Sequence, residues 1–214
     1  MTRSRHLATI FILLALCARP QVLDRIAVLV DGQPILQSEI DDAAWFARLS
    51  AHASCAAPLG AAELRTAREH LIDDQLLSAA RSAAGFPTAS PELVETQVEM
   101  LRQRAGGDPA WTDQLLACHL DGATVFDLVE RQLTLLAFLD QHFSDAPEAE
   151  AAIDSYYKEI FVPQARARNL APAPLDDVRA TIATLLRQQQ RSSDEAAWLK
   201  ELRAAARIEI KGGG

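Results

Sequence analysis

The residues best able to do chemistry are few and scattered: five His and three Cys in 214 residues. A catalyst needs groups that converge. His52, His70, His119 and His142 lie far apart in unlike contexts. Cys118 and His119 tempt as a nucleophile and its base, but adjacent residues on a helix point about 100° apart and cannot face one another. Three carboxylate pairs, Asp41–Asp42, Asp73–Asp74 and Asp176–Asp177, read as solvated helix faces or first-turn charge that suits a helix N-terminus. No Gly-rich phosphate loop and no metal-ligand spacing is present. The sequence therefore assigns no catalytic residue, no metal and no cofactor.

Composition narrows the classes further. Hydrophobic residues make up 49% of the chain and charged ones 23%, enough apolar material for a packed core. The net charge of −8 is the wrong sign for a nucleic-acid binder, whose phosphate contacts come from Lys and Arg. The first 18 residues read as a secretory signal: Arg3 and Arg5, then a ten-residue apolar run from Leu7 to Leu16, too short for a bilayer span of about twenty. Cleavage is expected after Cys17 or Ala18. Leu14-Ala15-Leu16-Cys17 also resembles a lipobox, which would lipidate Cys17, although Leu16 departs from the small residue expected there. No other segment is apolar and long enough to span a membrane. Export leaves Cys55 and Cys118 with two alternatives. One is a disulfide, worth roughly 4 kcal/mol in the chain-entropy model; the other is a pair of buried thiols.

The elements that must position any site come from periodicity. Residues 25–30 form a short β-branched run, Asp31-Gly32 signals a tight turn, and Pro34-Ile35-Leu36 returns as an edge strand. Ser38 with Asp41 predicts the start of a helix reaching Leu49. Helical spacing continues over 63–84, from Ser90-Pro91 to Gly106, from Asp108-Pro109 onward, and from Asp121-Gly122 to about Phe143. The spacing predicts a further helix over 149–161, a connector over 162–174, and closing helices over 175–191 and from the Ser192–Glu195 capping box onward. Arg207 to Lys211 alternates like a strand. A lone hairpin is marginal in water, so the closing strand near Ile208 and Ile210 is expected to pair with the hairpin near Ile26 and Val28. The fold class is mainly α: a multi-helix domain whose small N-terminal β-hairpin pairs with a short C-terminal strand. One domain spans 22–211, with a helical body over 38–161, the connector, and closing helices and strand over 175–211.

This order of motifs resembles the SurA-type periplasmic chaperones. Residues 22–41 (VLDRIAVLVDGQPILQSEID) resemble the family's opening strand, turn, second strand and helix start. Residues 69–77 (EHLIDDQLL) resemble its second helix, and 196–210 its closing helix and strand. Residues 152–163 (AIDSYYKEIFVP) look like the lead-in to a parvulin prolyl-isomerase module. Only about a dozen residues then precede the next helix, so the module itself is missing and its activity is not carried over.

The resemblance implies an ATP-independent chaperone that holds unfolded polypeptides, chiefly outer-membrane β-barrel proteins, in the periplasm. Such a holdase needs apolar surface open in a cleft and adaptable contacts. Phe46, Met100, Trp111 and Phe126 are the candidate client-binding residues, with ordinary core as the competing reading for each. Two other functions stay open: a structural or assembly subunit of an envelope complex, and a degenerate prolyl isomerase.

Overall fold

The computed structural model describes residues 24–143 and 150–211. The expected signal peptide and Cys17 lie outside these residues. The chain folds in the order β1 (Ile26–Val30), β2 (Gln33–Leu36), α1 (Gln37–Ser50), α2 (Ala61–Ala83), α3 (Pro91–Ala105), α4 (Asp108–Ala117) and α5 (Gly122–His142). It continues with α6 (Glu150–Tyr156), a π-helical turn (Tyr157–Phe161), α7 (Val162–Ala167), α8 (Leu175–Ala205) and β3 (Ile208–Ile210).

Both ends of the chain meet in one antiparallel sheet of order β2-β1-β3. Asp31 (φ 50°) and Gly32 (φ 82°) both take positive φ, the geometry that matches hairpin twist and that Asp-Gly favours. Pro34 sits opposite Leu29 on the outer strand β2, where its missing N–H is harmless. β3 pairs with β1 through Val28–Ile210, Leu29–Glu209 and Val30–Ile208. The ladder extends past the strand: Lys211 N–H donates to Ala27 O and Asp31 N–H to Arg207 O, both at 2.9 Å. The expected head-to-tail closure is present, with the central strand supplied by the beginning of the chain.

Two apolar clusters share α1. Ile40 and Ala44 join Val28, Val30, Ile35, Leu71 and Ile72 between the sheet and α2. Trp45 and Leu49, one turn further along, join Val94, Leu101, Trp111, Val125 and Val129 between α3, α4 and α5. The 3.6-residue repeat of α1 thus points one helix into two cores. At the other end Arg203 of α8 clamps α2, donating to Asp73 at 2.5 Å and to the Glu69 carboxylate and carbonyl at 3.1 Å each.

Three local expectations are corrected. The first helix starts at Gln37, with Leu36 as its cap residue: the Leu36 N–H donates to Glu39 Oε2 at 2.8 Å, while Ser38 binds Asp24 instead. The connector expected over 162–174 is helical in its first half. Pro163 lacks an N–H and would clash with the preceding turn of an α-helix. The π turn before it widens the winding, with Val162 N–H reaching Tyr157 O, and the helix passes through. A left-handed Asn169 (φ 57°) ends it, with Leu170 N–H on Ala165 O at 2.9 Å. The closing helices are one helix, α8. No Gly or Pro interrupts 175–205, and the pairs Gln190–Asp194 (2.8 Å) and Arg191–Glu195 (2.7 Å) span the expected break on its surface.

Candidate functional site

One open groove lies between α3, α4 and α5, and its walls are set by local chemistry. Ser90 caps α3, accepting from Leu93 N–H, and Pro91 fills the first helical position. The approach to that cap is fixed from across the core, where Ala89 N–H donates to the buried Thr134 hydroxyl of α5 at 2.8 Å. Gly106, at φ 104°, ends α3 in the left-handed region and turns the chain into α4. Asp121 caps α5 by accepting from Thr124 N–H at 2.7 Å. Cys55 and Cys118 are disulfide-bonded, Cα 5.0 Å apart across 63 residues of sequence. The bond pins the 51–60 loop to the end of α4.

Met100, Trp111 and Phe126 all line one groove of about 730 Å³ between these helices. Each comes from a different helix. Trp111, only 6% exposed, is the floor and belongs to the core as well. Phe126 is half-buried on the same cluster, and Met100 stands 41% exposed at the mouth. Phe46, the fourth candidate, does not line this groove; it packs against the same core from α1. Its phase on α1, one residue after Trp45, takes it to the core's flank.

Val98, Glu95, Glu99 and Arg102 also line the groove and were not singled out from the sequence. Helical phase held the signal: Thr96 and Met100 are i, i+4 neighbours, and so are Glu95 and Glu99, on adjoining strips of α3. Arg102 donates to Glu99 Oε2 at 2.9 Å, and its buried Nε lies 3.4 Å from Asp108 Oδ1 without an aligned hydrogen bond. A second groove, about 460 Å³, runs between α5 and α8 past Leu136 and Leu139. Its α8 wall, from Thr184 to Glu195, runs across the expected helix break and exists because 175–205 is one helix.

Cys118, His119 and the three carboxylate pairs sit in unlike environments. Cys118 holds no free thiol, being bonded to Cys55. His119, at φ 55°, packs its ring 5.1 Å from that of Trp45. Within the carboxylate pairs the environments differ. Asp73 binds Arg203, while burial pushes the neighbouring Asp74 carboxyl up, opposed by Arg131 and His70. Burial also raises Asp42, helped by the nearby carboxylates of Asp41, Asp121, Asp24 and Glu39. Asp176 and Asp177 occupy the first turn of α8. Among the described residues, no group of three or more His, Cys, Asp or Glu is placed to hold a metal ion.

Arg48 organises the 51–60 loop. Its guanidinium takes both oxygens of Glu63 (2.6 and 2.7 Å), donates to Ala57 O and Pro58 O (2.6 and 3.1 Å), and lies 5.0 Å from the centre of the Trp45 ring. Those bonds, with the Gly60 N–H, hold the Glu63 carboxyl down to about 2. Loop 51–60 is therefore fixed by one covalent bond and one charged hub.

No protein-family model matches the chain, and no curated protein matches it. Among the described residues no helix is long and apolar enough to cross a membrane.

Proposed function

We propose that this chain is an ATP-independent chaperone of the SurA type. It acts in the periplasm after export, holding unfolded polypeptides, chiefly outer-membrane β-barrel proteins, without isomerase activity and without a cofactor. The observation that carries the reading is the convergence of Met100, Trp111 and Phe126 on one open groove. Aromatic and thioether groups on three packed helices offer a client apolar contact area that adapts in shape. The groove floor is the outer layer of a well-packed core, so its shape persists when empty.

Two further features support the same reading. The sheet joins the chain's two ends, an arrangement the resemblance to the chaperone family implies. Between Phe161 and Leu175 the chain holds one short helix and a loop, where family members with isomerase activity carry a module of their own.

The test is suppression of aggregation of a urea-unfolded outer-membrane β-barrel protein diluted into buffer at near-stoichiometric ratio. The wild-type chain should suppress light scattering. Met100→Asp, on a side chain already 41% exposed, should keep the fold by circular dichroism and lose most of the suppression. A proline-limited refolding substrate should refold no faster in its presence. Wild type without effect on scattering refutes the proposal.

A further inference from the structure

The sheet has two outer edges, and they differ in what they offer. The bonds from Asp31 N–H to Arg207 O and from Lys211 N–H to Ala27 O fix which residues of the last strand face β1. Antiparallel ladders alternate. Arg207, Glu209 and Lys211 therefore turn their backbone groups to β1, and Ile208 and Ile210 turn theirs outward. β1 alternates in the same way. Leu29 faces Glu209 of β3, so Pro34, its partner on β2, turns outward. That edge is closed: Pro34 has no N–H to give, and the Leu36 N–H donates to Glu39 Oε2 at 2.8 Å.

The β3 edge carries no such block. Among the described residues, no partner outside β1 takes up the N–H or C=O groups of Ile208 and Ile210. The side chains agree. Ile208 and Ile210 lie opposite Val30 and Val28, which puts all four on the core face. Val28 is fully buried and Ile208 packs on the first core, yet Ile210 stands 53% exposed. The sheet ends at β3, so no strand flanks it.

We propose that the β3 edge binds an extended segment of another polypeptide as a fourth, antiparallel strand. The residues of that segment opposite Ile208 and Ile210 are apolar and cover Ile210; the residue between them, opposite Glu209, is not acidic. This alternation is the pattern of a membrane β-barrel strand. That the segment comes from an unfolded outer-membrane protein rests on the chaperone reading; the edge itself does not. A second copy of this chain is a poor occupant. Pairing Ile208 with the copy's Ile210 sets Glu209 against Glu209, a like-charge pair. Pairing Ile208 with the copy's Ile208 brings Ile210 opposite Ala206, whose N–H is already given to Leu202 O. Pairing Ile210 with the copy's Ile210 takes Ile208 past the end of β3.

Residue-resolved hydrogen exchange on the purified chain tests this. The probe is a short synthetic peptide of alternating valine and threonine with a lysine at each end. In the free chain the Ile208 and Ile210 amides should exchange fast, while those of Glu209 and Lys211, which face β1, stay protected. The peptide should slow Ile208 and Ile210 about tenfold or more. The same peptide N-methylated at its valines should not, because in this register the valine N–H groups donate to β3. Ile210→Pro removes an outward N–H and no bond to β1; it should keep the fold by circular dichroism and weaken peptide binding about tenfold. Met100→Asp should leave the edge protection unchanged, which separates the edge from the groove. Slow exchange of Ile208 and Ile210 in the free chain, or equal protection by the N-methylated peptide, overturns the proposal. So does protection that rises with protein concentration alone, with a dimer in sedimentation, since the occupant would then be a second copy. A chain that suppresses client aggregation without edge protection by the peptide refutes the edge and leaves the chaperone standing; edge protection without suppression does the reverse.

Discussion

Removing the last strand, by ending the chain after Ala206, should destabilise the whole domain. The loss begins with hydrogen bonds at the two ends of the β1–β3 ladder: the backbone bonds from Lys211 N–H to Ala27 O and from Asp31 N–H to Arg207 O at 2.9 Å, and the bond from Arg207 N–H to the Asp31 side-chain Oδ1 at 2.7 Å. At about 1 kcal/mol net for each bond, these come to roughly 3 kcal/mol. Ile208 packs against the first core, and β3 covers Val28 and Val30, which are 0% and 2% exposed. Uncovering that apolar area adds roughly 1–2 kcal/mol. A total near 4–5 kcal/mol is a large share of the 5–15 kcal/mol that holds a domain together. For a chain of this size it lowers Tm by about 10–20 °C. Thermal melting followed by far-ultraviolet circular dichroism reads the shift directly. Ile210→Ser is the control: that side chain is 53% exposed, and its loss should move Tm by under ~2 °C. A truncated chain melting within ~3 °C of the intact one would refute the reasoning, because β3 would then be an ornament on a domain stable without it.

Other outcomes follow from single contacts. Reduction, or Cys55→Ser, frees a loop of 63 residues and should cost roughly 4 kcal/mol; thiol titration of the denatured, unreduced chain should find Cys55 and Cys118 both blocked. Ile72→Ala, at a side chain 1% exposed in the first core, should cost about 2–5 kcal/mol in urea unfolding, whereas Leu116→Ala, 70% exposed, should cost under ~0.5 kcal/mol. Arg48 holds the Glu63 carboxyl below its ordinary 4.5, to about 2. The stability from that pair is therefore complete above pH 4.5 and lost as pH falls towards 2. Glu63→Gln should melt lower than wild type at neutral pH, and the gap should close over that acid window. Asp74 has the opposite sign: burial raises its carboxyl, so ionisation opposes folding, and Asp74→Asn should raise Tm at neutral pH and gain less as pH falls.

What could be read in the sequence was what single residues decide locally. Asp31-Gly32 permits positive φ at both turn positions, Ser90-Pro91 and Asp121 carry their own caps, and Pro34 confines its strand to an edge; each signal has one physical outcome, and each appears in the structure. The break expected at Ser192–Glu195 failed because a capping box competes with helix continuation. Neither Gly nor Pro is there to force the stop, while surface pairs carry the helix through. Pro163 misled for the reverse reason, since a π turn accommodates it. At the groove, apolar identity pointed to Met100, Trp111 and Phe126, but Phe46 has the same chemistry and only the phase of α1 against α3 and α5 excludes it. Glu95 and Glu99 share the helical phase of Met100 on α3, but that they border a groove, like the α5–α8 groove itself, depends on how helices pack.

Site-specific photo-crosslinking addresses the central claim most directly. A photoreactive amino acid is placed at Met100, inside the groove, or at Leu116, which is more exposed yet outside it. Irradiation with an unfolded outer-membrane β-barrel protein should yield a client adduct from position 100 and little from position 116. Equal adducts at both positions, or none at 100, would contradict the account, because contact would then follow exposure rather than the groove.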